Sequence, residues 1–301
     1  MSNSIIKHWL KAFRLRTLPL ALSSIFMGNF LASWQGQFDW IILLLSVTTT
    51  IFLQILSNLA NDYGDTIHGA DSAEREGPAR AVQSGVITKS QMKTAIYILA
   101  GLSLSSGLLL LNMAFADHWL LIIIFLVLGL AAIYAAITYT AGSNPYGYRG
   151  LGDISVLIFF GFVGVFGAYY LQTKQLDWQI VMPALSCGLL STGVLNVNNI
   201  RDIESDQKAG KISIPVRLGR EGAVIYHYVL LGLAMISSLA FAVYYVLDWN
   251  SYLFLLSFPL IIRNAWAVKT RLTPADLDPY LKQLALTTLL FVVLFGIGLI
   301  W

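Results

Sequence analysis

The sequence contains one cysteine, Cys187, and only 12% of its 301 residues are charged. A single thiol forms no intrachain disulfide and assembles no thiolate metal site, so Cys187 reads as a small packing residue. Soluble domains carry about 25% charged residues. Half that level, together with 57% hydrophobic residues, excludes an ordinary soluble chain and indicates a polytopic membrane protein. Also missing are a G-x-x-x-x-G-K-[ST] phosphate loop and a Ser-His-Asp arrangement. Of the four histidines, His8 and His118 fall at expected interfaces, His227 within a span, and only His68 inside a polar block.

What is present is a series of apolar stretches of bilayer-crossing length, about 17 to 25 residues each. They lie near 17–34, 39–60, 94–115, 118–138, 153–171, 178–198, 222–246, 250–264 and 283–301. The eighth is the shortest and contains Pro259. The expected fold is all-α and polytopic, with about nine transmembrane helices around an intramembrane cavity that opens to the cytoplasmic face. Residues 1–301 are read as one integral-membrane domain. The opening "MSNSIIKHWLKAFRLRT" lacks the compact apolar core and cleavage site of a secretory signal. It reads instead as a basic amphipathic helix over residues 1–16, lying on the membrane surface.

Lys and Arg accumulate in cytoplasmic loops. With the N-terminus inside, 18 of the 19 basic residues fall on that side and only Lys174 falls outside. Topology thus accounts for the +3 net charge, and no nucleic-acid partner is expected. A bacterial cytoplasmic membrane is the expected location.

Almost all remaining polar sequence lies in four inner loops, after the second, fourth, sixth and eighth spans. Two span ends resemble each other. "NLAND" places Asn58 four residues before Asp62, and "NVNNIRDIESD" places Asn198 four before Asp202, with Asp206 four further on. Positions i, i+3 and i+4 share a helical face, which groups Asn58, Asp62 and Asp65 in one block and Asn198, Asp202 and Asp206 in the other. Like charges so spaced repel, and ionisable residues at a membrane segment are functional candidates. A divalent cation removes the conflict, and Mg²⁺ is usually held by one or two carboxylates together with substrate phosphates. Asp71 belongs to the first block but lies six residues beyond Asp65 and depends on a non-helical turn to reach it. Glu74, Glu76 and Glu204 are assigned to solvent.

These blocks resemble the aspartate-rich motifs of the UbiA-type intramembrane aromatic prenyltransferases. "RLRTLPLA" at Arg14, "NDYGD" at Asn61, "GPARAVQSGVIT" at Gly77, "NPYGYRGLGD" at Asn144 and "GKISIPVRLGR" at Gly210 carry the resemblance over most of the chain. Within the family they look most like the naphthoate-prenylating branch of the menaquinone pathway. The chain departs from the pattern in the long step to Asp71 and in Ile212 and Ser213, which replace a more basic pair.

The resemblance implies a polyprenyl diphosphate donor, an aromatic hydroxy acid acceptor, Mg²⁺ and the lipid bilayer as partners. Asp62, Asp65, Asp71, Asp202 and Asp206 become the expected metal residues. Asn58, Asn198, Arg80, Lys89, Lys208, Lys211 and Arg217 are expected on the donor. Arg14 and Arg16 divide between lipid headgroups and the site. Tyr139, Tyr146 and Tyr148 lie near the fourth span's end, and their faces can stabilise a carbocation. Arg149 is assigned to the acceptor carboxylate, and the prenyl tail to the space between helices. The alternatives are the same chemistry on 4-hydroxybenzoate or homogentisate, and a cation transporter. A CDP-activated phosphatidyltransferase is disfavoured because its D-G-x-x-A-R signature is missing.

Overall fold

Nine helical spans alternate in direction among the residues described by the computed structural model, which are 2–67, 82, 85–142, 145–246 and 248–301. The helices are α1 (Ser2–Phe13), α2 (Leu18–Trp34), α3 (Trp40–Ile67), α4 (Lys89–Phe115), α5 (Trp119–Thr138), α6 (Gly152–Val156), α7 (Gly164–Thr173), α8 (Val181–Arg201), α9 (Ile203–Lys208), α10 (Ile214–Phe241), α11 (Phe258–Thr270) and α12 (Pro274–Ile300). A π-helical stretch, Leu157–Val163, joins α6 to α7 as one span. The described residues contain no strand. The chain is thus an all-helical, integral membrane protein.

Local chemistry sets several helix starts. Thr88 and Gln91 form a reciprocal capping box at α4, which satisfies donors that the first turn leaves open. Thr273 accepts from the Asp276 N–H ahead of α12, with Pro274 at its first position. Between α1 and α2 the chain turns at Arg14, which has left-handed dihedrals (φ 47°). The basic N-terminal helix is therefore separate from the first deep span. Its Trp9 and Phe13 pack beside Leu56 and Met92, while Ile5, Ile6 and Leu10 remain exposed.

Helix α8 is the buried axis of the molecule. Residues from Ala184 to Ile200 are mostly inaccessible, and they pack with α2, α10, α12 and Leu157–Val163. Phe241, Phe254, Phe291 and Phe295 close one end of this core. Helix α5 shows the opposite character, because none of its residues is buried. It packs one side against α3 and α4, and the rest of its apolar surface, with the backbone satisfied within the helix, suits contact with lipid. A shallow apolar recess of about 240 Å³ lies between α1 and α4, and it shares no residue with the carboxylate blocks.

The structure departs from the sequence reading mainly at helix ends. Helix α3 continues to Ile67, seven residues past the expected end, so Asp62 and Asp65 are helical. The ninth span starts at Pro274 rather than near 283, which adds Asp278 to the inner end of α12. The second block does not lie on one continuous helix. The chain breaks at Asp202 (φ −98°, ψ 13°), and Asp206 sits on the short α9.

Cys187 lies in the first half of α8 and is fully buried. It is expected to resist maleimide in native membranes and to react once the protein is unfolded in detergent. Mass spectrometry of the labelled chain checks this.

Candidate active site

Asn58, Asp62 and Asp65 lie along the last turns of α3, at 3%, 2% and 8% exposure. Asn58 donates to the Phe13 carbonyl and to Thr17 Oγ1, both at 2.9 Å. It therefore fastens the connector between α1 and α2 to the first block. Tyr148, in the turn Tyr146–Arg149, donates its phenol to Asp65 Oδ1 at 2.9 Å. Thr140 donates to Asn61 Oδ1 at 3.0 Å. Two contacts thus bring the segment after α5 against the first block. Asp71 and Arg80 lie outside the described residues.

At the second block, Arg201 grips both oxygens of Asp202 through Nε and Nη2, each at 2.8 Å. Nη2 also donates to Asn198 Oδ1 at 2.9 Å, and Nη1 reaches Asp278 at 2.6 Å. Arg16 approaches the other Asp278 oxygen at 3.3 Å. A charged chain therefore runs from the N-terminal connector through α12 to Asp202. Asp206 pairs with Lys211 at 2.9 Å across the turn that returns to α10. Burial pushes the Asp206 carboxyl up, Lys211 opposes this, and the charges of Asp202 and Asp65 add to the rise. Burial works against the Lys211 charge, but Asp206, Tyr139 and Asp65 outweigh it and hold its ammonium above the usual range. Asp65 acts on both groups, and Tyr148 bonds Asp65 through its phenol and Ile212, the neighbour of Lys211, through its carbonyl, so the two blocks are linked next to the Lys211–Asp206 pair.

The loop between α5 and α6 closes one side. Ile212 donates its backbone N–H to the Tyr148 carbonyl at 2.8 Å. Gly150 has φ +79°, and a side chain there would meet the Ile212 carbonyl at 2.5 Å. A side chain at Gly152 would sit 2.7 Å from the Tyr139 hydroxyl. Glycine is required where backbone approaches so closely. Tyr139 is pushed up to about 12 by burial, against the pull of Lys211.

The UbiA prenyltransferase family model matches residues 21–286. The chain belongs to the UbiA prenyltransferase family. It is accordingly a prenyltransferase. It is 46% identical to the 1,4-dihydroxy-2-naphthoate octaprenyltransferase of Haemophilus influenzae, with 100% of this chain and 98% of that protein covered. The protein of the same name from Escherichia coli is also 46% identical, with 97% and 94% covered. Among solved structures, the fold is similar to the apo form of a UbiA homolog from Aeropyrum pernix K1, at a TM-score of 0.71 and 17% identity, covering 95% of this chain and 98% of that one. A UbiA homolog from Archaeoglobus fulgidus, bound to GPP and Mg²⁺, matches at a TM-score of 0.62 and 17% identity, covering 96% and 99%.

The remaining described sequence candidates for the donor and acceptor are exposed rather than buried with the carboxylates. Lys89 is exposed at the first position of α4, and Lys208 is exposed at the end of α9. Arg149 and Arg217 are exposed too, and Arg217 donates to the Arg149 carbonyl at 2.7 Å. The inner set is Asp62, Asp65, Tyr148, Tyr139, Asn198, Asp202, Asp206 and Lys211. Arg201 and Asp278 were not selected from sequence. Arg201 adjoins Asp202 in the chain, which was a usable signal. Asp278 lies 77 residues from Arg201, and nothing local marks it.

The oxygen donors suit Mg²⁺. Among the described residues, no three His, Cys, Asp or Glu side chains converge to hold an ion by themselves. Mg²⁺ usually takes one or two carboxylates and completes its shell with water and substrate phosphate, so paired blocks of buried aspartates fit an ion that arrives with a diphosphate. Each carboxylate oxygen has a second lone pair beyond its bond to Arg201 or Tyr148.

Removing one member of a buried ion pair strands the other charge, at a cost of about 3 to 5 kcal/mol. Arg201→Ala is expected to lower the detergent melting temperature strongly, and adding Asp202→Asn should recover most of the loss. Thermal melts of both variants measure this.

Proposed function

We propose that this protein transfers a polyprenyl group from polyprenyl diphosphate to 1,4-dihydroxy-2-naphthoate, releasing CO₂ and diphosphate and yielding demethylmenaquinol. The observation carrying this reading is the link between two buried aspartate blocks, made by Tyr148, which bonds both Asp65 and Ile212, beside the Lys211–Asp206 pair. The near-complete overlap with relatives of that name supports the choice of acceptor.

Asp62, Asp65, Asp202 and Asp206 would hold Mg²⁺, with Asp71 completing the first block. When bound, Mg²⁺ supplies Lewis-acid and template chemistry at the diphosphate. The chain's own residues do the rest. Lys211 carries an ammonium to the inner edge of the diphosphate site, and Arg80, Lys89, Lys208 and Arg217 add positive charge around it. Asn198 holds Arg201 on Asp202. Asn58 holds the connector that carries Arg16.

Departure of diphosphate leaves an allylic cation that water would capture. Burial excludes water, and the ring faces of Tyr139 and Tyr148 offer negative quadrupole density to the cation. Arg149 would pair with the acceptor carboxylate, placing the ring beside the turn Tyr146–Arg149. The prenyl tail lies between helices, and the site faces the cytoplasm from the inner membrane. This orientation rests on the one-sided distribution of basic residues. Affiliation with a prenyltransferase family sets the transporter alternative aside. The same chemistry on 4-hydroxybenzoate or homogentisate is the competing reading.

Membranes containing the protein, Mg²⁺ and labelled polyprenyl diphosphate are to be supplied with each of the three acids. Transfer to the naphthoate with release of CO₂ is expected, and transfer only to 4-hydroxybenzoate or homogentisate would contradict the assignment.

A further inference from the structure

One buried carboxylate beside the site is left unused by the donor chemistry. Asp153 is the second residue of α6, immediately after the Tyr146–Gly150 loop, and is 5% exposed. From α10, Tyr226 donates its phenol to Asp153 Oδ1 at 3.3 Å. The adjacent Gly152 lies against the Tyr139 hydroxyl. Lys211 is near enough to act electrostatically on both Tyr139 and Asp153.

The neighbouring groups are committed elsewhere. Tyr146 binds the Ala135 carbonyl and Ser155, and Tyr148 binds Asp65. Asp202 is gripped by Arg201, and Asp206 by Lys211. Among the described residues, Asp153 has a phenol as its side-chain partner and no ion-paired cation. Asp202 and Asp206 each hold a cation directly, whereas Lys211, which acts on Asp153 from a distance, is itself paired with Asp206. The position of Asp153, on the acceptor side of Tyr139, suits it to a proton.

We infer that Asp153 is the proton shuttle for the acceptor. This rests on the reading above that the acceptor ring lies beside Tyr146–Arg149. Asp153 takes the proton of the ring hydroxyl ortho to the carboxylate. The C–O bond to diphosphate has broken with its electrons leaving on diphosphate, and the freed electron pair drives attack from the carboxylate-bearing ring carbon onto the terminal carbon of the allylic cation. The ring oxygen is then a ketone. The bond to the carboxylate breaks next, CO₂ departs, and its electron pair returns to that oxygen. Asp153 gives the proton back. No net proton, oxidant or reductant is needed.

The test uses Asp153→Asn, Asp153→Glu and wild type in membranes, with labelled donor and Mg²⁺. Asp153→Asn is expected to lower kcat about 100-fold or more, the usual range for loss of a general base, with the donor KM changed by no more than about two-fold. Asp153→Glu should restore part of the rate. A ring-fluorinated, more acidic acceptor should shrink the ratio of wild-type to Asp153→Asn rates by about tenfold, because an acidic hydroxyl depends less on a base. An unchanged ratio, a fully retained rate, or a donor KM that rises in step with the loss of kcat would overturn the shuttle.

If Asp153→Asn fails to fold, Tyr226→Phe keeps the carboxylate and removes its hydrogen bond. It should lower kcat several-fold at constant donor KM, and a matching rise in donor KM would overturn the inference. The wild-type rate on the naphthoate separates the two readings. Its absence contradicts the choice of acceptor, whereas a normal wild-type rate with an undiminished Asp153→Asn rate contradicts the shuttle alone.

Discussion

Four carboxylates crowded at the ends of two apolar helices stay ionised only if positive charge is brought to them, because a low-dielectric surrounding strengthens every repulsion between them. Asp202 has the Arg201 cation and Asp206 the Lys211 cation, while Asp65 accepts a neutral hydrogen bond from the Tyr148 phenol and lies within the field of Lys211. Much of the surrounding architecture follows from meeting that demand. The turn 202–213 folds back so that Lys211 reaches Asp206. The loop 145–152 is threaded through glycines so that Tyr148 reaches Asp65 while its backbone takes the Ile212 N–H. Helix α12 begins early and places Asp278 where Arg201 needs a second anion.

The same arrangement links elements far apart in the chain. Arg16 shares Asp278 with Arg201, and Asn58 grips the connector beside Arg16. The connector that follows the N-terminal basic helix is therefore fastened to both carboxylate blocks. Among the described residues, a site organised this way holds more carboxylates than paired cations, an excess that suits it to metal ions arriving with an anion. Chemistry on an allylic cation needs such a place, polar at the diphosphate and dry along the tail.

The spans were legible in the sequence because bilayer crossing imposes a length and a composition that few residues can disguise. Ends were less legible. Hydropathy stops at the first aspartate, whereas the backbone of α3 keeps its hydrogen bonds through Asp62 and Asp65 to Ile67. The two aspartate blocks were visible from spacing, and the family resemblance from five short stretches. The break at Asp202 was not visible, because helical spacing alone predicts one continuous face. Nor was the role of Asn58, whose partners Phe13 and Thr17 lie more than 40 residues away. Asp278 was hidden for the same reason, since a lone aspartate at a helix start looks like ordinary N-terminal charge. Asp153 stood in a quoted motif, yet only packing reveals that it is buried beside Tyr226, with no ion-paired cation among the described residues.

The central claim is that the two blocks form one site, shared by metal ions and the donor diphosphate. Equilibrium binding of Mn²⁺, used as a spectroscopic substitute for Mg²⁺, tests this most directly when measured with and without a non-cleavable polyprenyl thiodiphosphate. The account predicts tight metal binding only with the analogue present, and a weakening of about tenfold or more, at least 1.4 kcal/mol, in Asp62→Asn and in Asp202→Asn alike. Metal binding that ignores the analogue, or that survives unchanged in either variant, would contradict it.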